Sequence, residues 1–269
     1  MNHRPICIAI MALLVLGLVA TASAQGLYWE STMSGGPIGE RHEHMWAVPK
    51  MMKAVTTETG EMFIIRLDKE LFITVDPKEK TYSEMTFADM ENMMKKAGGK
   101  RDTKMAEMQK KLEAMPEEQR KMVEKMMGDK MPGMSKDAPV DVKSTGDKKE
   151  ISGFSCTKYV VAQGDNDVMT LWVTKDVSGF EEMHKDWEQF SQRMMAMNPM
   201  AGKGIGEAFK KIDGFPIQTE MGHGMTSTVT TVEKKVAPAK EFEVPPGYKK
   251  VKPKMMDEMD QMDQKEEKD

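Results

Sequence analysis

Cysteine is nearly absent from this chain, with two among 269 residues, Cys7 and Cys156. Cys7 lies inside an N-terminal apolar stretch whose pattern predicts removal, which leaves Cys156 alone in the mature chain. A single cysteine closes no internal disulfide, so a disulfide-stapled scaffold is excluded. Cys156 reads as a small buried hydrophobe within a strand. The one close cation in sequence is Lys158, weak ground for an activated thiol.

An excess of either charge is also missing. Lys and Arg total 39 against 43 Asp and Glu, both signs interspersed over most of the chain. A nucleic-acid binder would show a basic stripe, and none is present. Histidine is sparse. His42 and His44 share one face of a predicted strand, but two ligands do not complete a metal site, and a solvated strand face accounts for them. His184 and His223 stand apart, the latter in a turn. "GKGIG" (Gly202–Gly206) has no strand leading into it and no lysine-serine signature, so it is no phosphate loop. No nucleophile pairs with a base. The expectation is a non-enzyme with no catalytic residue, no metal-ligand set and no cofactor.

The apolar run from Ile6 to Val19 falls short of the roughly 20 residues that cross a bilayer. It follows a basic start at Arg4 and ends on Ala22-Ser23-Ala24, the small-x-small pattern of a signal-peptidase site. Residues 1–24 therefore read as a signal peptide cut near Ala24/Gln25. The product is a soluble periplasmic or secreted chain without a stable transmembrane anchor. Its 38 basic residues (39 less Arg4) against 43 acidic ones leave a formal charge near −5.

What the chain does contain is a sequence of strands. "LYWESTM", "IGERHEHMWAV" and "MMKAVTTETG" are followed by "EMFIIRLD" and "ELFITVD", a hairpin turning near Asp68-Lys69. "DPKEKTYSEM" adds another. Leu71, Ile73 and Val75 share one face, as do Phe63, Ile65 and Leu67, while Arg66 marks the other. One buried and one wetter face suit an antiparallel sheet. The period then becomes helical. Thr86 is a plausible N-cap for Phe87, Met90, Met94 and Ala97, with Gly98-Gly99 as the stop. Met105, Met108, Leu112 and Met115 form a second stripe. Pro116 opens a further helix whose apolar face is Met122, Val123, Met126 and Met127, and Pro132-Gly133 ends it. Strands resume at Pro139, with two joined through Gly164-Asp165-Asn166. Phe180, Met183, Trp187, Phe190 and Met194 make the most regular amphipathic stripe. A short "GEAFKKI" helix and a hairpin through Gly222-His223-Gly224 close the fold. The acidic, Met-rich segment 253–269 reads as disordered. The organisation is a single α+β domain over 25–252 with a helical insert at about 86–134, helices packed on one side of an antiparallel sheet.

Several stretches resemble a known family. "IIRLDKELFITVDPKEKTYSEM" carries a basic-acidic turn, an Asp-Pro turn and a Lys-x-Tyr strand. "ISGFSCTKYVV" and "LWVTKD" carry Gly-x-x-Cys-x-x-Tyr and Trp-x-Thr-x-Asp, and "GFPI" and "FEVPPGYKKV" follow. Their order resembles the bacterial secreted domain-of-unknown-function family DUF4412, over about Tyr28 to Val251. That family looks like the LolA/LppX-type periplasmic lipoprotein carriers. The resemblance implies an open β-barrel, a half-barrel, with helices covering a concave face that holds acyl chains. It supplies no site residues, because no lipoprotein-binding residue maps onto the long Met-rich insert.

Methionine is the abundant residue, 31 in all. Three uses stay open. Helical Met stripes commonly face a core. An unbranched, polarizable side chain can also re-pack around varied guests. Thioethers are soft ligands for Cu(I) or Ag(I), and "MMAMNPM" and the tail are suggestive of that use. The expected role is a non-catalytic binder of a hydrophobic small molecule or lipidated protein. Met122, Met126, Trp172, Met183, Trp187 and Phe190 are the expected lining. A soft-metal binder is the alternative, and an envelope protein-interaction module a third. Oligomeric state is open.

Overall fold

Short turns between alternating apolar segments fold the chain into consecutive hairpins. The computed structural model describes residues 23–36, 39–119, 139–197, 205–257 and 259. Residues 1–22 of the expected signal segment 1–24, Met122, Met126, Pro132-Gly133, most of "GKGIG" and the tail beyond 259 lie outside them.

Six strands come first: β1 (Ser23–Ser34), β2 (Arg41–Val48), β3 (Met51–Thr56), β4 (Met62–Arg66), β5 (Leu71–Asp76) and β6 (Thr81–Thr86). Helix α1 (Phe87–Glu113) follows, then β7 (Val140–Ile151), β8 (Phe154–Gln163) and β9 (Asn166–Thr174). Helices α2 (Phe180–Met197) and α3 (Ile205–Phe209) precede β10 (Phe215–Met221), β11 (Met225–Pro238) and the two-residue β12 (Lys249–Lys250). All the strands join one sheet in the order β12-β6-β5-β4-β3-β2-β1-β11-β10-β9-β8-β7. Every pairing is antiparallel except β12 with β6. Two meanders, β1–β6 and β7–β11, are thus joined where β1 lies along β11. The ends of the sheet, β12 and β7, do not meet, so the architecture is α+β with an unclosed sheet, as an open half-barrel requires.

Thr86 caps α1 as expected. Its hydroxyl accepts from the Asp89 amide at 3.0 Å while the Asp89 carboxylate accepts from the Thr86 amide at 3.1 Å, a reciprocal capping box. The expected stop at Gly98-Gly99 is absent, and α1 runs through both glycines to Glu113. Neither glycine has a positive φ. With no proline there, each costs only about 1 kcal/mol relative to alanine. A second departure lies between β7 and β8. Ser152 and Gly153 have φ of 53° and 81°, the pair of positive values that a two-residue hairpin demands. The segment Val140–Asp176 therefore holds three strands, not a lead-in and two.

The expected wet face of the first meander is also corrected. Paired residues share a face, and successive residues alternate. Ile65 pairs with Phe72, and Phe72 with Met85, on the face that α1 and α2 cover. Ile64 and Ile73 point the opposite way, yet they are buried with Val48, Val75, Ala237 and Phe242. The cover is chain from beyond β11: a 3-10 turn at Ala239–Phe242, then Val244 and Tyr248. Arg66, on this second face, is only 8 % exposed. Its guanidinium donates to Asp68 at 2.8 and 2.7 Å and to the Phe242 carbonyl at 3.3 Å.

This pairing has a pH consequence. Arg66 donates to the Asp68 carboxylate and holds its pKa below the usual range, against a smaller opposing effect of burial. A carboxylate depressed in the folded state contributes stability above its unfolded pKa, near 4, and loses it as pH falls through the folded value. Asp68→Asn is therefore expected to be less stable than wild type at pH 7, with the gap narrowing by pH 3. Urea midpoints at the two pH values check this, and an unchanged gap would count against it.

Candidate functional site

The helix-covered face is apolar at its centre and open at one end. The α2 stripe lies against the sheet as its spacing requires. Met183 is buried with Leu27, Ala47 and Phe215, while Phe190 and Met194 pack on Ile65, Phe72, Met85 and Phe87. Trp187 touches both groups. Its ring meets Phe190 edge-on at 5.5 Å, and Phe190 lies 5.2 Å from Phe87 and 6.0 Å from Phe72. Arg193 fastens α2 to its surroundings, donating to Glu91 of α1 at 2.7 Å and to Glu70 of the β4–β5 turn at 3.1 Å.

Three of the expected lining residues, Met183, Trp187 and Phe190, thus come together beneath α2. Trp172 is half-buried and packs against the cluster that holds Met183, but its own surroundings are polar. Its register partners are Lys158 and Gln218, and its neighbours Leu171 and Val173 are buried with Ala208 of α3 on the reverse face. The Trp172 indole donates to Glu220 at 3.2 Å, and the ammonium groups of Lys149 and Lys158 lie 5.4 and 6.0 Å from its ring centroid. Within the helix-covered core, the Trp187 indole N–H is buried without an acceptor among the described residues.

The open end lies over β4, β5 and β6. Phe63 pairs with Thr74, and Thr74 with Ser83, so no large neighbour covers the phenyl ring. It remains 41 % exposed and stacks on Phe72, with centroids 5.9 Å apart and planes at 14°. After β12, the Val251 amide donates to the Tyr82 carbonyl at 2.8 Å. The chain then crosses the sheet edge, and Pro253 opens a helical turn in which the Met256 amide donates to the Pro253 carbonyl at 3.0 Å. This C-terminal arm and α1 leave a crevice of about 230 Å³ bounded by Phe63, Phe72, Met85, Met90, Val251 and Met255. Glu61, Asp76, Lys252 and Lys254 stand among its polar members.

Two further hollows adjoin the helices. One of about 250 Å³ lies between α1 and the arm, with Met93, Met256 and Met259 among its walls. A mixed polar groove between α2, α3 and the sheet, in overlapping parts of about 190 and 400 Å³, includes Phe180, His184, Glu188 and Lys210. Sequence periodicity missed the first crevice because its walls come from residues 61–90 and 251–255. The usable signal was an aromatic, Phe63, paired across strands with small polar residues.

Other chemistry-bearing residues are engaged locally. His42 Nδ1 lies 2.8 Å from Glu58, while His44 Nδ1 lies 2.8 Å from the Tyr28 hydroxyl, which donates to Glu30 at 2.6 Å. Burial, reinforced by Glu30, pushes the Tyr28 phenol up to about 12. Among the described residues no group of three or more His, Cys, Asp and Glu is placed to hold a metal ion. Cys156 is buried, and burial, more than the nearby Asp176, pushes its thiol up. That opposes thiolate reactivity. Among the described residues no helix is long and apolar enough to cross a membrane.

The family described as "Domain of unknown function (DUF4412)" matches residues 88–248, well over half of the chain. No curated protein sequence gives a significant match. Among solved structures, the chain is similar to an uncharacterized conserved protein from Thermus thermophilus. That likeness has a TM-score of 0.43 at 9 % identity and covers 84 % of this chain and 90 % of that one. The Pseudomonas aeruginosa MucA/MucB complex follows with a TM-score of 0.38 at 8 % identity, covering 84 % and 58 % of the two chains. PNGF-II has a TM-score of 0.38 at 11 % identity, covering 88 % of this chain and 32 % of that one. The chain thus spans less than two thirds of the length of those last two.

Proposed function

Because the chain belongs to the DUF4412 family, whose description carries no activity, its role must be sought on its own surfaces, and we propose that it is a non-catalytic binding protein for a hydrophobic guest. The guest is a lipid, an acyl chain or the acyl group of a lipidated protein. It enters the crevice between β4–β6, α1 and the C-terminal arm. The reading places the protein outside the cytoplasm, with the N-terminal segment cut near Ala24/Gln25. It rests for this on the basic-apolar-small pattern of that segment.

The observation that carries the reading is Phe63. A phenyl ring left 41 % exposed over another phenyl, inside a concave apolar wall, is an unfinished hydrophobic contact. Covering it with an acyl chain transfers apolar surface from water at about 25 cal/mol per Å². Met85, Met90 and Met255 suit guests of varied shape, since their unbranched thioethers re-pack at little cost. At about 230 Å³ the crevice falls below the range of roughly 300–1,000 Å³ usual for a site that encloses a drug-sized ligand. It therefore takes one end of a long chain, or the whole of it once the arm lifts.

Displacement of a fluorescent fatty-acid probe, with native mass spectrometry of protein purified from the extracytoplasmic fraction, tests the reading. Wild type should bind the probe, and Phe63→Asp should weaken binding at least tenfold with an unchanged circular dichroism spectrum. Absence of probe binding to wild type, or equal binding by the variant, would overturn it. A co-purified protein without lipid would favour an envelope interaction module instead.

A further inference from the structure

Methionines spread along one helix face do not converge on a point, so the stripes seen in sequence make no metal site by themselves. The fold brings methionines of two distant segments to one place. Met93 projects from α1, and Met256 and Met259 are three residues apart on the C-terminal helical turn, where side chains at that spacing are neighbours. All three line the same hollow of about 250 Å³. The arm that carries two of them is held to β6 by the Val251 amide, which donates to the Tyr82 carbonyl, and by the Lys250–Glu84 ion pair.

We infer that Met93, Met256 and Met259 form a three-thioether site for a soft monovalent cation, Cu(I) or Ag(I). Neutral sulfur donors suit soft ions and are poor ligands for Mg²⁺ or Ca²⁺, which take oxygen. Zn²⁺ and Cu²⁺ favour imidazole, carboxylate or thiolate sets, and no such cluster occurs among the described residues. Asp89 and Asn92 add oxygen atoms to the wall. Lys96 and Lys252 also border the hollow, and the Lys252 ammonium is ion-paired to Asp257 at 3.1 Å. The site is distinct from the Phe63 crevice and does not rest on the lipid reading. Both hollows share the arm, so metal capture would tie α1 to the segment that rims the apolar crevice.

The test is titration of the full mature chain with Ag(I) alone, and with Cu(I) under reducing conditions in competition with a chromogenic Cu(I) chelator. The comparison is a Met93→Leu/Met256→Leu/Met259→Leu variant, in which near-isosteric apolar swaps preserve packing. Wild type should bind one equivalent that the triple variant lacks, with at least tenfold weaker residual affinity. Met256→Leu alone should fall between them, and Zn²⁺ should bind neither protein at this site. Equal stoichiometry and affinity in wild type and triple variant would place the ion on other methionines and overturn the proposal. Absence of binding to wild type would overturn it equally. Neither result bears on fatty-acid binding, which the Phe63→Asp comparison decides separately.

Discussion

Replacing Phe242 with alanine is expected to destabilise the protein by about 3–5 kcal/mol, the range for a large aromatic removed from a packed interior. Phe242 has no exposed surface, and it closes the cluster of Val48, Ile64, Ile73, Val75 and Ala237 on the face away from the helices. The ring ends a 3-10 turn whose carbonyl also accepts from the Arg66 guanidinium at 3.3 Å. Nearby, Glu241 pairs with Lys53 at 3.0 Å. The truncated side chain would leave a void that β-sheet on one side and a short turn on the other cannot collapse to fill. For a chain of this size each kcal/mol moves Tm by roughly 2–4 °C, so a drop on the order of 10 °C is expected. Thermal unfolding followed by circular dichroism measures it. A loss of only a few tenths of a kcal/mol would show that the Ala239–Phe242 segment is a loose cover rather than part of the core.

The second large effect is expected at Gly214, which enters β10 with φ of 134°. An alanine there would place its Cβ 2.4 Å from the Thr174 carbonyl oxygen and 2.9 Å from Val173 Cγ1. The backbone cannot retreat, because Phe215 and Thr174 are ladder partners. Backbone strain alone contributes roughly 1–3 kcal/mol at such a conformation, and the collision with a fixed carbonyl adds to it. Gly214→Ala should therefore cost on the order of 3 kcal/mol or more. Gly153 supplies the control. Its φ is 81°, but nothing lies within 4 Å of an added Cβ, so Gly153→Ala should cost only about 1 kcal/mol from strain. Equal losses at the two positions in urea denaturation would refute the steric account of Gly214.

Much of this fold was legible from periodicity and turn chemistry. Thr86 ahead of an apolar helical pattern marked the start of α1, and the spacing of Phe180, Met183, Trp187, Phe190 and Met194 gave the inward face of α2. Glycines were read less well, because the same residue ends a helix only if the chain adopts a positive φ, and Gly98-Gly99 does not. The second buried face of β4–β5 was invisible for another reason. Its cover comes from Phe242, far along the chain from Ile64 and Ile73, and no local pattern announces such a partner. The same separation hid both hollows along the C-terminal arm. Trp172 was expected to line the apolar site, and no local pattern tells that Lys149, Lys158 and Glu220 surround it.

The joint between the two meanders also sets a schedule. Trp29 lies opposite Val232 and Leu27 opposite Lys234, partners separated by about 200 residues of chain, and loop-closure entropy must be met before that pairing contributes. Within each meander the hairpins are local and can form early. The β1–β11 seam cannot begin until nearly the whole polypeptide has been synthesised. Until then β1 is an unpaired strand edge, the kind of surface that templates aggregation. Completion of the sheet is thus a late, all-chain event, even though the hairpins on either side of the seam can form before it.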